Sequence, residues 1–148
     1  MATVKNLLNT KGNDVWTVPI TATVKETLKL LAEKNIGAVL VLEDKKIVGI
    51  FSERDYARHA AQEESMLLDV LVSGLMTRSI YYVGPQQTVD ECMALMTSKH
   101  IRHLPVLDAE QKLVGLISIG DVVRQLLEEK ETTIQGLENY ILGREYSG

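Results

Sequence analysis

Gly49-Ile50-Phe51-Ser52-Glu53-Arg54-Asp55 returns later in the chain as Gly115-Leu116-Ile117-Ser118-Ile119-Gly120-Asp121. A repeat of this kind governs the fold argument, because each copy must build the same local unit. Upstream of the first stretch, Thr23-Val24-Lys25-Glu26 matches Thr88-Val89-Asp90-Glu91. The same offset aligns Leu28 with Met93, Leu31 with Met96, Ile36 with Ile101 and Val41 with Val106. One extra residue in the second copy then brings Val48 onto Val114, Asp55 onto Asp121 and Arg58 onto Arg124. Two copies of one unit fill nearly the whole chain.

Each copy reads as strand, helix, strand, strand, helix, which gives an α+β (α/β) fold class. Trp16 to Val18 and Ile80 to Val83 are short β-prone segments that run into Pro19 and Gly84-Pro85. Both following helices open on a T-x-x-E capping box, in which threonine and glutamate satisfy exposed backbone donors. Their apolar residues recur at helical spacing: Val24, Leu28 and Leu31 in the first copy, and Val89, Cys92, Met93 and Met96 in the second. Ala38 to Leu42 and Ile47 to Phe51 are apolar strands around the charged turn Glu43-Asp44-Lys45-Lys46. Leu104 to Leu107 and Leu113 to Ile117 repeat the pair around Asp108 to Lys112. Strands apolar on both sides are usually covered on both faces. The expected arrangement is therefore a pseudo-twofold sandwich packed through its sheets, with helices outside. A final helix opens at each Ser-x-x-Asp.

Outside the repeat, Val4 to Leu8 and Val70 to Met76 read as short helices leading into the two copies. Division in chain order gives 1–62 for the first motif with its N-terminal helix and 63–130 for the second with its linker helix. Residues 131–148 form a helical tail, with Ile134, Leu137, Tyr140 and Ile141 on one stripe.

The chain has 148 residues, 45% hydrophobic and 24% charged, enough to bury a core without a disulfide or metal. Its single cysteine, Cys92, has no internal partner, which suits a reducing compartment. No apolar run approaches the roughly 20 residues that span a bilayer, and the first ten residues lack a signal-peptide core. A cytoplasmic location without membrane attachment is the expectation. The formal net charge of −4 provides no overall basic field for nucleic acid.

The duplicated Gly-h-h-Ser-x-x-Asp (h, apolar), together with Ile101-Arg102-His103-Leu104-Pro105-Val106, resembles the CBS-domain pair, or Bateman module. The resemblance covers about Val4 to Glu128 and is nearest to stand-alone bacterial pairs. It implies the β-α-β-β-α unit doubled by pseudo-symmetry, disc-like homodimers, and clefts between the motifs that hold AMP, ADP, ATP, NAD or S-adenosylmethionine. It also implies that Asp55 and Asp121 hold the ribose hydroxyls.

The residue chemistry agrees with that implication. A ribose diol presents two adjacent donors, which an ionised carboxylate accepts in charge-assisted bonds. Ser52 and Ser118, near the N-caps, stand where a phosphate would meet helix-start amides and a hydroxyl. Arg54, Arg102 and His103 supply cations. Trp16, Val18, Ile36, Gly37, Ala38, Tyr81 and Pro105 are the candidate lining of an adenine slot. Ser-x-x-Asp is also a helix-capping signature, and the two roles are compatible. The copies differ, since Arg102-His103 replaces Gly37-Ala38 and Ile119-Gly120 replaces Glu53-Arg54, so the two sites should not be equivalent.

Three function classes follow. The leading one is a non-catalytic sensor of adenine nucleotides acting in trans on a partner protein, because no effector domain accompanies the repeat. The second is a structural homodimerisation module with vestigial clefts, for which Gly37-Ala38 speaks. The third, an enzyme, finds no Walker motif, nucleophile elbow or metal-carboxylate cluster. His100-x-x-His103 with Cys92 offers no third ligand at metal spacing, and Cys92 reads as a packed small hydrophobe.

Overall fold

The computed structural model describes residues 1–129, so the tail expected over 131–148 lies outside the described residues. The elements in chain order are α1 (Val4–Lys11), β1 (Thr17–Pro19), α2 (Val24–Lys34), β2 (Ala38–Glu43), β3 (Lys46–Ser52), α3 (Glu53–Glu63), α4 (Val89–Lys99), β4 (His103–Leu107), β5 (Leu113–Ser118) and α5 (Ile119–Glu129). The mixed α+β class and the repeated unit read from the sequence are both present.

The chain folds as two compact units that do not follow its order. One comprises Val15–Ile80; the other joins Met1–Asp14 to the chain from Tyr81 onward. The N-terminal helix, assigned by chain order to the first motif, therefore packs with the second. Val4, Leu7 and Leu8 of α1 share a buried cluster with Val89, Cys92 and Ile117. The linker before copy two packs with copy one in the same way, with Val72, Leu75 and Met76 among Val24, Val39 and Phe51.

This explains the glycine that opens each signature. A Cβ at Gly115 would come within 2.8 Å of Leu8 Cδ2, and one at Gly49 would collide with the Met76 side chain. Each leader segment also serves a helix start in the unit it packs with. The Val24 amide donates to the Val70 carbonyl at 2.8 Å, and the Val89 amide to the Ala2 carbonyl at 2.9 Å. Both satisfy donors that a helix cannot satisfy itself.

In the Val15–Ile80 unit the sheet order is β1-β2-β3, with β1 parallel to β2 and β2 antiparallel to β3. Asp44 and Lys45 both have positive φ, 50° and 65°, which gives the primed two-residue hairpin turn that strand twist favours. Among the described residues the other unit has the β4-β5 pair, which Val83 joins through an isolated parallel bridge to Val106. The strand expected at Ile80 to Val83 is thus reduced to one bridge. Proline chemistry accounts for the loss. In copy one the Ile20 amide donates to the Leu42 carbonyl at 2.9 Å, extending the ladder past Pro19. The matching residue in copy two is Pro85, which has no N–H to donate.

The linker helix expected over Val70 to Met76 is also shorter, a single 3-10 turn at Val72–Gly74. Gly74 and the β-branched Val70 and Val72 are poor helix formers, and this backbone is bonded outward to Ala22 and Val24 instead, with the next residue, Thr77, bonded to Ile50.

Candidate functional site

Both Ser-x-x-Asp motifs fold as reciprocal helix caps. Ser52 is the N-cap of α3, and its hydroxyl accepts the Asp55 amide at 3.1 Å. The Asp55 carboxylate returns the bond, Oδ2 accepting the Ser52 amide at 3.0 Å and its hydroxyl at 3.0 Å. In the second copy the Asp121 amide donates to Ser118 Oγ at 3.2 Å, and Asp121 Oδ2 accepts the Ser118 amide at 2.8 Å. The amide one residue past each serine is satisfied too: Glu53 donates to the Gly37 carbonyl at 3.0 Å, and Ile119 to the Arg102 carbonyl at 2.8 Å. These caps leave the amides of Arg54 and Gly120 outside their bonding. Gly37 and Arg102 thus sit at the two helix starts through their backbones.

The register continues the equivalence. Ala38 lies opposite Ser52, and His103 opposite Ser118. His103 is half-buried, whereas Arg54 and Arg102 are exposed. The apolar candidates divide. Val18 is buried in the cluster of its own unit, and Ala38 is 2% exposed, so neither offers an open side-chain surface. Pro105 is buried, and its carbonyl accepts the Val83 amide at 3.1 Å. Ile36 packs on the edge of its unit's core. Trp16 and Tyr81 are exposed, and the last-turn lysine of the following helix covers each ring, Lys34 at 4.3 Å and Lys99 at 5.3 Å from the centroid. Cation–π pairs at matching positions hold these rings in place.

The two carboxylates differ in their remaining partners. Asp55 Oδ1 accepts the Thr77 hydroxyl at 3.1 Å. Asp121 Oδ2 is paired with Lys11 Nζ at 2.6 Å, and Oδ1 with Arg124 at 3.4 Å. Lys11 also donates to the Leu116 carbonyl at 2.5 Å. The Asp121 side chain is only 12% exposed. Burial pushes its carboxyl up, but the Lys11 hydrogen bond, the Ser118 amide and the Lys11 charge outweigh this and hold it below its ordinary value.

Sequence reasoning missed Lys11 and Thr77. Both stand on the leader segments, whose echo of one another was visible without showing which copy each one reaches. Cys92 is buried, and desolvation followed by the Glu91 charge raises its thiol to about 11. His100 closes α4 in the left-handed region, at φ 56°. Among the described residues no cluster of three or more His, Cys, Asp or Glu is placed to hold a metal ion.

With two capped acids on two copies of one unit, the geometry defines a duplicated motif protein. The CBS domain model matches residues 4–62 and 72–128, and the chain belongs to the CBS-domain family. A signal-transduction protein with CBS domains from Burkholderia ambifaria is 45% identical with a TM-score of 0.82, the match covering 90% of this chain and 99% of that one. The CBS domain pair of protein MJ0100, in complex with 5′-methylthioadenosine and S-adenosyl-L-methionine, is 25% identical with a TM-score of 0.74, over 84% of this chain and 99% of that one. CBSX2 in complex with AMP is 25% identical with a TM-score of 0.70, over 88% and 99%.

Proposed function

We propose that the protein is a non-catalytic regulatory module that binds an adenosine-containing ligand at the helix starts of Asp55 and Asp121. The observation that carries this reading is the division of labour within each carboxylate. The cap bonds one oxygen of each acid firmly, Oδ2 in both copies, and so fixes the group's orientation. Among the described residues, the other oxygen is held by the Thr77 hydroxyl in one copy and by a 3.4 Å contact to Arg124 in the other. An acceptor pre-oriented in this way takes a hydroxyl of a ribose diol at little entropic cost. The amides of Arg54 and Gly120, left over at the helix starts, suit an anion such as a phosphate.

The ligands of two related pairs narrow the class. AMP carries a phosphate, whereas 5′-methylthioadenosine and S-adenosylmethionine carry none, and what they share is adenosine. Trp16 and Tyr81, exposed and covered on one side by lysines, are candidate aromatic surfaces for an adenine ring. AMP, ADP, ATP and NAD are the nucleotide candidates. Occupancy would be read in trans by a partner protein, with the chain as a cytoplasmic homodimer.

Calorimetry with AMP, ADP, ATP, NAD and S-adenosylmethionine tests the reading, supported by melting curves. A ligand at 100 times its dissociation constant adds about 2.7 kcal/mol. For a domain of this size the melting temperature then rises by roughly 5–10 °C. Absence of heat and of any shift with the whole panel at millimolar concentration would leave an interaction module in its place.

A further inference from the structure

We propose that Lys11 is a positioning residue for the second copy's site, one that orients Asp121 for a ribose diol and so couples docking of α1 to occupancy of the copy it packs with. The inference rests on the functional reading above and adds a residue and a segment to it.

Lys11 Nζ bridges the strand-to-helix junction that carries the signature. It donates to the Leu116 carbonyl on β5 at 2.5 Å and to Asp121 Oδ2 on α5 at 2.6 Å. Oδ2 is also the oxygen that accepts the Ser118 amide, at 2.8 Å. Two donors from different elements therefore converge on one oxygen of an acid whose side chain is 12% exposed. This fixes the carboxylate and leaves Oδ1, with its 3.4 Å contact to Arg124, presented in one direction. A hydroxyl that arrives at Oδ1 leaves the Lys11 bond intact. Ligand and leader then hold the same side chain by its two oxygens, and each spares the other the cost of ordering it. Such support is reciprocal by thermodynamic necessity.

The rest of the leader is fastened to the same two elements. The Ala2 amide donates to the Glu129 carboxylate at the far end of α5, and Asn13 Nδ2 donates to the Val114 carbonyl on β5 at 3.2 Å. Leu8 fills the space over Gly115. Lys11 is the point where this strap reaches the acid. Copy one is wired differently. There the second donor to Oδ2 is the Ser52 hydroxyl itself, and the leader residue Thr77 meets Oδ1. That leader touches the oxygen a ligand would take, so no mutual support arises.

The test titrates the full chain, as wild type, Lys11→Met and Lys11→Arg, with AMP and with 2′,3′-dideoxy-AMP, which keeps base and phosphate but lacks the diol. The amide resonances of Gly120 and Arg54 give an affinity for each copy. In the wild type, AMP should bind at Gly120 about tenfold more tightly than the dideoxy analogue, the scale of a hydrogen bond to a charged group. Lys11→Met should shrink that ratio to about threefold, because the ligand must then order the carboxylate itself. Lys11→Arg should keep the wild-type ratio, and the ratio at Arg54 should not move. A direct pull of Lys11 on phosphate, or a general loss of stability, cancels in the ratio. Reciprocity adds a reading on the wild type that stands even if Lys11→Met fails to fold. At equal saturation, AMP should slow amide exchange in α1 about threefold more than the dideoxy analogue does. A ratio at Gly120 that Lys11→Met leaves unchanged, or equal slowing of α1 by the two ligands, overturns the proposal while binding itself stands. Silence at Gly120 beside a response at Arg54 overturns it as well. A wild-type ratio near one, or no response at either amide, defeats the functional reading, and the proposal falls with it.

Discussion

Asp55 and Asp121 occupy the same point of two copies of one unit, and both close the same helix cap, yet different chemistry surrounds them. A neutral hydroxyl from Thr77 meets the first. An ammonium from Lys11 and a guanidinium from Arg124 meet the second. The caps are equal because they are built from residues inside the repeat, where spacing fixes the geometry. Thr77 and Lys11 come from the leader segments, which the repeat does not constrain, whereas Arg124 stands on α5 at the position that Arg58 holds in the first copy. One duplicated motif can therefore offer two helix starts of the same shape and unlike charge.

The widest test of this contrast removes a leader. Deleting residues 1–12 should destabilise the second copy, although the segment precedes the first. Val4, Leu7 and Leu8 are buried at 0%, 2% and 5% exposure. Losing three such side chains costs on the order of 5 kcal/mol. Hydrogen exchange should show protection falling in α4, β4 and β5 while α2, β2 and β3 keep theirs. Loss concentrated in the first copy would mean that the leaders are wrongly paired.

Smaller effects should separate the two acids. Asp121→Ala removes a cap and breaks a half-buried ion pair, so denaturant unfolding should report a loss of about 2 kcal/mol, between exposed and buried pairs. Asp55→Ala removes a cap and neutral partners, at about 1 kcal/mol. Each should also weaken adenosine-ligand binding in its own copy by about 1.5–3 kcal/mol. Equal stability losses would erase the difference between the copies, and unchanged affinities in both would leave two caps and no ligand site.

Acid should expose the same asymmetry. Because Asp121 titrates below its ordinary value when folded, the unfolded chain binds more protons between the two values, and stability rises with pH there. The contribution is complete above about pH 4, the unfolded carboxylate value, and is lost as pH falls through the lower folded value. Lys11→Met removes both the leading hydrogen bond and the charge behind this depression, so its acid unfolding should begin at higher pH than in the wild type. Coincident acid transitions in the two proteins would show that the pair contributes nothing to stability.

Much of this was legible before any coordinates. The caps at Thr23, Ser52, Thr88 and Ser118 were visible because capping depends on residues three apart, and the hairpins because apolar runs bracket polar turns. Pro85 carried the reason for the missing strand in copy two, since a residue without an N–H cannot extend a ladder. The partners of the acids were not legible. Lys11 and Asp121 are far apart in sequence, and periodicity describes a segment's faces without naming the copy that receives them. Val18, Ala38 and Pro105 show the converse limit: an apolar residue near a site reads as lining until burial places it inside the unit.

Thr77→Val probes the contrast most finely. Thr77 is exposed, and its hydroxyl bond to Asp55 competes with water, so its loss should cost only about 0.5 kcal/mol, the lower end for a neutral hydrogen bond. The more telling quantity is adenosine binding in copy one. If the hydroxyl merely holds Asp55 Oδ1 until a ligand arrives, its removal spares the ligand that displacement. Affinity should then rise by roughly twofold, about 0.4 kcal/mol. An affinity that falls several-fold in Thr77→Val would instead make Thr77 a ligand contact in its own right. The two acids would then differ in what touches the ligand, and displacement of a held oxygen would no longer describe copy one.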